Sequence, residues 1–161
     1  VIGKTHKDIL KELYQYDDYK INLFEKAWMP KIEERSFLLY DKLIEGVKKY
    51  LEDLDTFGAK LYLVTARQNE ENVIWQMKLL GLENIFKEIL VTKQKISKAK
   101  LIEPRINRDQ ENWLIGDTIS DIETGKKLNI NTLAVLSGFQ GRELLEKSSP
   151  DLILNKIIDF K

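Results

Sequence analysis

Five short apolar runs recur along the chain from about residue 60: Leu61-Tyr62-Leu63-Val64, Ile89-Leu90-Val91, Trp113-Leu114-Ile115, Thr132-Leu133-Ala134-Val135-Leu136 and Leu152-Ile153-Leu154. Turn residues bound them and amphipathic helical stretches separate them. That alternation describes strands of a parallel sheet covered by helices on both faces, because a strand buried on both sides is apolar throughout rather than at every second residue. The expected class is therefore α/β.

Residues 1 to about 50 read differently. Ile9, Leu10, Leu13 and Tyr14, then Ile21, Phe24, Ala27 and Trp28, fall three and four apart with charged residues between them, which predicts helices. Pro30 is expected to interrupt between two helical stretches. A helical segment thus leads the sheet. The 161 residues, 18.9 kDa, fit one domain of ordinary size with at most a small insertion. Lys and Arg number 26 against 26 Asp and Glu, without blocks, so the footprint of a nucleic-acid or anionic-membrane binder is absent. There is no cysteine, which excludes disulfides, thiolate catalysis and Cys-ligated zinc, and fits a cytoplasmic protein. No apolar run is long enough to span a membrane. Loops are expected around Gln94 to Ser97, Glu103 to Asp109 and Ser148 to Pro150.

In open parallel sheets the chemistry gathers at the carboxyl ends of the strands. After the first run comes Thr65-Ala66-Arg67, after the second Thr92-Lys93, after the third Gly116-Asp117-Thr118-Ile119-Ser120-Asp121, and after the fourth Ser137-Gly138-Phe139. Asp117 and Asp121 lie four apart, so a helix winding from about Ser120 lets both face one small volume. Hard oxygen ligands at such a place suit Mg²⁺, which takes one or two carboxylates, keeps waters and completes its shell with substrate phosphate. The alternative for either carboxylate is a simple helix cap.

The string WLIGDTISDIETGKKLNINTLAVLSG, Trp113 to Gly138, resembles the fourth motif of the haloacid dehalogenase-like (HAD) hydrolase superfamily with its following helix and strand. LYLVTAR, Leu61 to Arg67, is similar to the second motif, and Lys98 in KISKAKLI stands where the third-motif lysine belongs. The resemblance covers about residues 45 to 160 and implies a Rossmann-like sheet, Mg²⁺ and phosphoryl transfer through an aspartyl-phosphate. It implies that Thr65 and the N–H of Ala66 hold phosphoryl oxygens, and that Lys98 pairs with the crowded negative charge. Asp117 would bind Mg²⁺, Asp121 would bind it or orient its water, and Thr118 and Ser120 would support them. Alternatives stand beside each role. Thr65 would otherwise cap the next helix, Lys93, Lys95 and Lys100 compete with Lys98, and Arg67 either meets a substrate anion or sits in solvent. His6 reads as a surface helical residue, and Trp28, Trp75 and Trp113 as packing residues.

The family's first motif, an apolar strand followed by Asp-x-Asp-x-Thr or Val, has no match near the N-terminus. Asp17-Asp18 lie in a polar turn-like stretch, and Val1-Ile2-Gly3-Lys4 resembles the start of a helix of the family's cap. LEDLDTFG, Leu51 to Gly58, carries suitable letters, but the three-four spacing of Leu43, Val47, Tyr50, Leu51 and Leu54 places it on an amphipathic helix. Residues 1–44 are thus expected to be a partial helical cap, and 45–161 a HAD-like core lacking its first strand, with the nucleophile outside the sequence. That strand would lie between those of Leu61 and Trp113, so either a missing N-terminal segment, a substitute segment or a second chain is expected to supply it. The full-length protein is expected to be a cytoplasmic phosphatase of a small phosphorylated metabolite. The rival is a non-catalytic HAD-like binding or regulatory domain.

Overall fold

In the computed structural model, residues 6–161 are described. The Val1 to Lys4 stretch expected to start a helix lies outside the described residues, as does the side chain of His6. The chain divides into two units, residues 25–102 and residues up to 24 together with 103–161. The division falls within one helix, α2.

The leading helices are α1 (His6–Tyr14) and α2 (Asp18–Lys31), followed by the short α3 (Arg35–Leu38). Asp17 starts α2 by accepting the Lys20 N–H at 2.8 Å. Pro30 does not separate two helices: it sits in the last turn of α2, where its missing N–H removes only one hydrogen bond.

Residues 25–102 hold α4 (Val47–Thr56), β1 (Tyr62–Thr65), α5 (Glu70–Leu79), β2 (Glu88–Val91) and α6 (Lys98–Ile102). The helix expected from Leu43 begins only at Val47, because Gly46 at its start adopts φ +83°. β1 and β2 are parallel, with Tyr62 opposite Glu88 and Thr65 opposite Val91. The pairing continues past the strand ends, where Thr92 donates to the Thr65 carbonyl at 3.0 Å and Lys93 to that of Arg67 at 3.1 Å. α3 packs against α5 and α6 against β1. Val73, Met77, Leu82, Ile85, Leu90 and Val91 are buried.

The other unit holds β3 (Trp113–Gly116), α7 (Ile119–Lys127), β4 (Asn131–Val135), α8 (Arg142–Lys147) and β5 (Leu152–Leu154). The strands are parallel in the order β3-β4-β5, and α7 packs on β3 and β4. Ile122, Ala134 and Leu145 form its buried centre, with Leu136 and Ile153 against them. A fully buried Leu or Ile of this kind contributes roughly 1.5–3 kcal/mol relative to an exposed one. Leu152 is exposed, as an end strand of three residues allows. The five apolar runs thus become five strands, each parallel to its neighbours within a two-stranded and a three-stranded sheet, and the α/β class holds.

Candidate active site

Thr65 ends β1, and Ala66 and Arg67 follow it directly. The Thr65 hydroxyl is not the cap of the next helix. Asn69 fills that place, its Oδ1 accepting the Asn72 N–H at 3.0 Å, whereas Thr65 Oγ1 accepts the Arg67 N–H at 3.4 Å. Lys98 is the first residue of α6, the helix that packs on β1, and is half-buried. Its three competitors are exposed: Lys93 pairs with Glu70 at 2.5 Å, Lys95 lies in the turn after β2, and Lys100 lies within α6.

Asp117 and Asp121 belong to the other unit, at the turn from β3 into α7. The cap of α7 is Thr118, so neither carboxylate is a mere cap. Its hydroxyl accepts the Asp121 N–H at 3.3 Å and donates to Asp121 Oδ2 at 2.6 Å, holding a carboxylate that is only 5% exposed. Asp117 Oδ2 accepts the Phe139 N–H at 2.6 Å. The loop after β4 is stitched on by two further bonds, Gln140 N–H to the Asp117 carbonyl at 3.3 Å and Ile119 N–H to Gln140 Oε1 at 2.6 Å. Two glycines make the close approach possible. A Cβ on Gly138 would lie 2.1 Å from Asp117 Cβ, and one on Gly116 2.3 Å from Asp121 Cβ. Ser120 is exposed, and its carbonyl accepts the Thr124 hydroxyl at 2.7 Å.

The sequence profile of the haloacid dehalogenase-like hydrolases matches residues 1–135. The chain belongs to that family. A pyrophosphatase PpaX of Listeria innocua is 25% identical over 167 residues, covering 99% of this chain and 74% of that protein. The PpaX of Bacillus pumilus is 32% identical over 124 residues, covering 72% of this chain and 56% of its own length. The chain therefore spans between about half and three quarters of these two relatives. A haloacid dehalogenase-like hydrolase from Streptococcus pneumoniae shares the fold, with a TM-score of 0.74 at 20% identity over 88% of this chain and 68% of that one.

Within this HAD-family chain the donor set at β3 can be tested against the metal that the fourth motif implies. Among the described residues no three His, Cys, Asp or Glu side chains gather to hold a metal ion. The protein's share would be two carboxylates, which is what Mg²⁺ ordinarily takes when water and substrate phosphate complete its shell. Asp117 has one oxygen on the Phe139 N–H and, among the described residues, the other without a hydrogen bond. The residues present fit Mg²⁺.

LEDLDTFG lies on α4 and its end. Asp53 pairs with Lys49 at 2.9 Å one helical turn away, and Asp55 is exposed in the last turn. The three tryptophans make packing contacts, although Trp28 is 40% exposed and not core: it meets Phe37 edge-on at 6.0 Å, Trp113 meets Phe160 at 4.9 Å, and Arg35 lies over Trp75 at 5.2 Å. Arg67 is neither free in solvent nor fully satisfied. Its Nη2 pairs with Asp41 at 3.3 Å, while its Nη1 is buried and, among the described residues, has no hydrogen-bond partner. Two supporting residues had no local signal in the sequence. Gln140 reaches Ile119 from 21 residues away, and Glu33 bonds the main chain at Gln68 from 35 away.

Proposed function

We propose that the protein is a Mg²⁺-dependent phosphatase of a small phosphorylated metabolite, working through an aspartyl-phosphate. The observation that carries this is Asp117 at the carboxyl end of β3, pinned by the Phe139 N–H and backed by Gly138, in a chain that belongs to a hydrolase family. Relatives named pyrophosphatase support a small phosphorylated substrate. In this reading Thr65 and the Ala66 N–H hold phosphoryl oxygens, and Lys98 offsets charge that crowds in the transition state. Asp117 holds Mg²⁺ and Asp121 holds it or orients its water. Bound Mg²⁺ supplies neutralisation of phosphate charge. Residues 1–44 are proposed as part of a helical cap and 45–161 as the α/β core.

The attacking carboxylate is not proposed from these residues. Asp117 is the one Asp or Glu standing directly after a strand among the described residues, and it is assigned to the metal. That same observation favours a second reading, a HAD-like domain that binds phosphate or a partner without catalysis. Reading the gene upstream of Val1 for an in-frame Asp-x-Asp, then assaying the whole gene product on phosphorylated compounds with and without Mg²⁺, separates the two. Hydrolysis that requires Mg²⁺ and falls at least about a hundredfold in Asp117→Asn is expected. No such hydrolysis with any phosphorylated compound moves the assignment to the binding domain.

A further inference from the structure

Glu33 lies two residues beyond the end of α2 and is 6% exposed. Its carboxylate accepts the Gln68 N–H at 2.9 Å on each oxygen and the Asn69 N–H at 2.8 Å on Oε2. Its carbonyl accepts Asn72 Nδ2 at 2.8 Å, and Asn72 Oδ1 accepts Arg35 Nε at 3.2 Å. Farther along, Gln76 Nε2 donates to Asp41 Oδ2 at 2.6 Å. The segment after α2 is thus tied to the start of α5 by a ladder of side-chain bonds, with Glu33 at its head.

Burying a carboxylate is costly unless its charge is met. Among the described residues no cation meets that of Glu33. Two consecutive backbone N–H groups at the start of a ten-residue helix do so, an arrangement that attracts phosphate and carboxylate groups generally. The loop concerned begins at Thr65 and Ala66, only two residues before Gln68. Its N–H donors therefore divide into an end available to a ligand and an end already taken by the chain's own anion.

We propose that Glu33 is a positioning and specificity-determining residue: an internal anion that fixes the main chain from Thr65 to Asn69 and closes the Gln68–Asn69 end of that loop to anionic ligand groups. A phosphate is then taken only at the Thr65–Ala66 end. This deepens the phosphatase reading, since Glu33 acts on the loop to which that reading assigns the phosphoryl group. Its tests read amide exchange and anion binding, so they stand even for a chain without hydrolytic activity.

NMR on the 161-residue chain reads both halves. The amides of Gln68 and Asn69 exchange slowly in the unaltered protein and at least about tenfold faster in Glu33→Gln, while those of β4 keep their rates. On titration with inorganic phosphate, the Gln68 and Asn69 resonances stay still in the unaltered protein and shift saturably in Glu33→Ala. Should Glu33→Ala fail to fold, Glu33→Gln, which keeps the volume and loses the charge, carries the titration with the same expectation. Unchanged exchange in Glu33→Gln overturns the positioning role. Phosphate shifts at these amides in the unaltered protein, or none in a folded charge-free variant, overturn the exclusion.

Discussion

One glycine at the candidate site and one far from it separate crowding from backbone conformation as reasons for lacking a side chain. Gly138 has no left-handed φ to defend, but an added Cβ would sit 2.1 Å from Asp117 Cβ. Gly58 is the reverse: its φ is +88° and nothing lies within 4 Å of an added Cβ. Gly58→Ala should therefore cost about 1 kcal/mol from backbone strain alone. Gly138→Ala should cost about 1–3 kcal/mol by overpacking and should also displace the Asp117 carboxylate. Urea unfolding of both variants, with the Mg²⁺ response of Gly138→Ala, checks this. If Gly138→Ala is no costlier than a control alanine on an exposed helix, Asp117 is not held as described. The places of such residues are partly legible in the sequence. Thr65, Asp117 and Asp121 can be nominated because the chemistry of an α/β sheet gathers just after its strands, a local property of the sequence, and Lys98 through the family resemblance. Glu33 could not, since its partners lie 35 and 36 residues away and no periodicity links them.

At the scale of elements, three of the helices that lead into strands end in one way. α4, α5 and α7 each close with a residue at positive φ, Gly58, Gly81 and Asn129, whose N–H returns to the carbonyl three residues back. The next N–H, from Ala59, Leu82 and Ile130, reaches five residues back to Leu54, Met77 and Gly125, which satisfies carbonyls that the helix leaves open. α8 repeats the first bond through Ser149, at φ 50°, but Pro150 has no N–H to supply the second. The glycine stops are readable from sequence, whereas Asn129 and Ser149 look like ordinary loop residues. The strands fall within a residue of the apolar runs, whereas the left-handed Gly46 ahead of α4 and the place of Pro30 in the last turn of α2 leave no mark in the apolar spacing.

The join between β4 and β5 carries a polar pair beside its apolar packing. Thr132 is fully buried, and its hydroxyl donates to Asp151 Oδ2 at 2.7 Å while accepting the Asp151 N–H at 3.1 Å. The Thr132 N–H donates to the same carboxylate oxygen at 2.7 Å. Bonds from the Thr132 hydroxyl, then from its N–H, hold the Asp151 carboxyl below the usual carboxylate range. A carboxylate whose pKa is lower folded than unfolded stabilises the fold above its unfolded pKa, and that contribution is lost as pH falls through the folded value. The stability of the unaltered chain should therefore hold near neutrality and lose this contribution below about pH 4. Thr132→Val removes the hydroxyl and leaves the Asp151 N–H without its acceptor, at a cost of about 1–3 kcal/mol near pH 7. Its acid loss should be shallower. Urea midpoints taken from neutral pH down to about pH 3 test both points, and an unchanged acid slope in Thr132→Val would remove Thr132 as the cause.

At the scale of the whole molecule, the two strands expected to flank the family's first strand each stand at an end of their sheet, as β2 and β5 also do. β1 has β2 as its partner and β3 has β4, and among the described residues neither has a second neighbour. All four residues of each are half-buried, whereas Thr132, Leu133 and Ala134 inside β4 are fully buried. A missing first strand can be expected from the sequence because strand succession and motif order are readable from one chain. What would pair with β1 or β3 is not readable, because a pairing partner is defined by backbone donors and acceptors that any extended segment can offer. Unpaired strand edges with apolar residues such as Leu63, Val64 and Ile115 are templates for other strands. The 161-residue chain is accordingly expected to self-associate as its concentration rises, and Val64→Lys or Ile115→Lys, which place a charge on the unpaired edge, should weaken that association. Sedimentation velocity over a hundredfold concentration range measures it. A monomer throughout, unchanged in either lysine variant, would mean that these edges are protected within the chain and that no second strand is being sought.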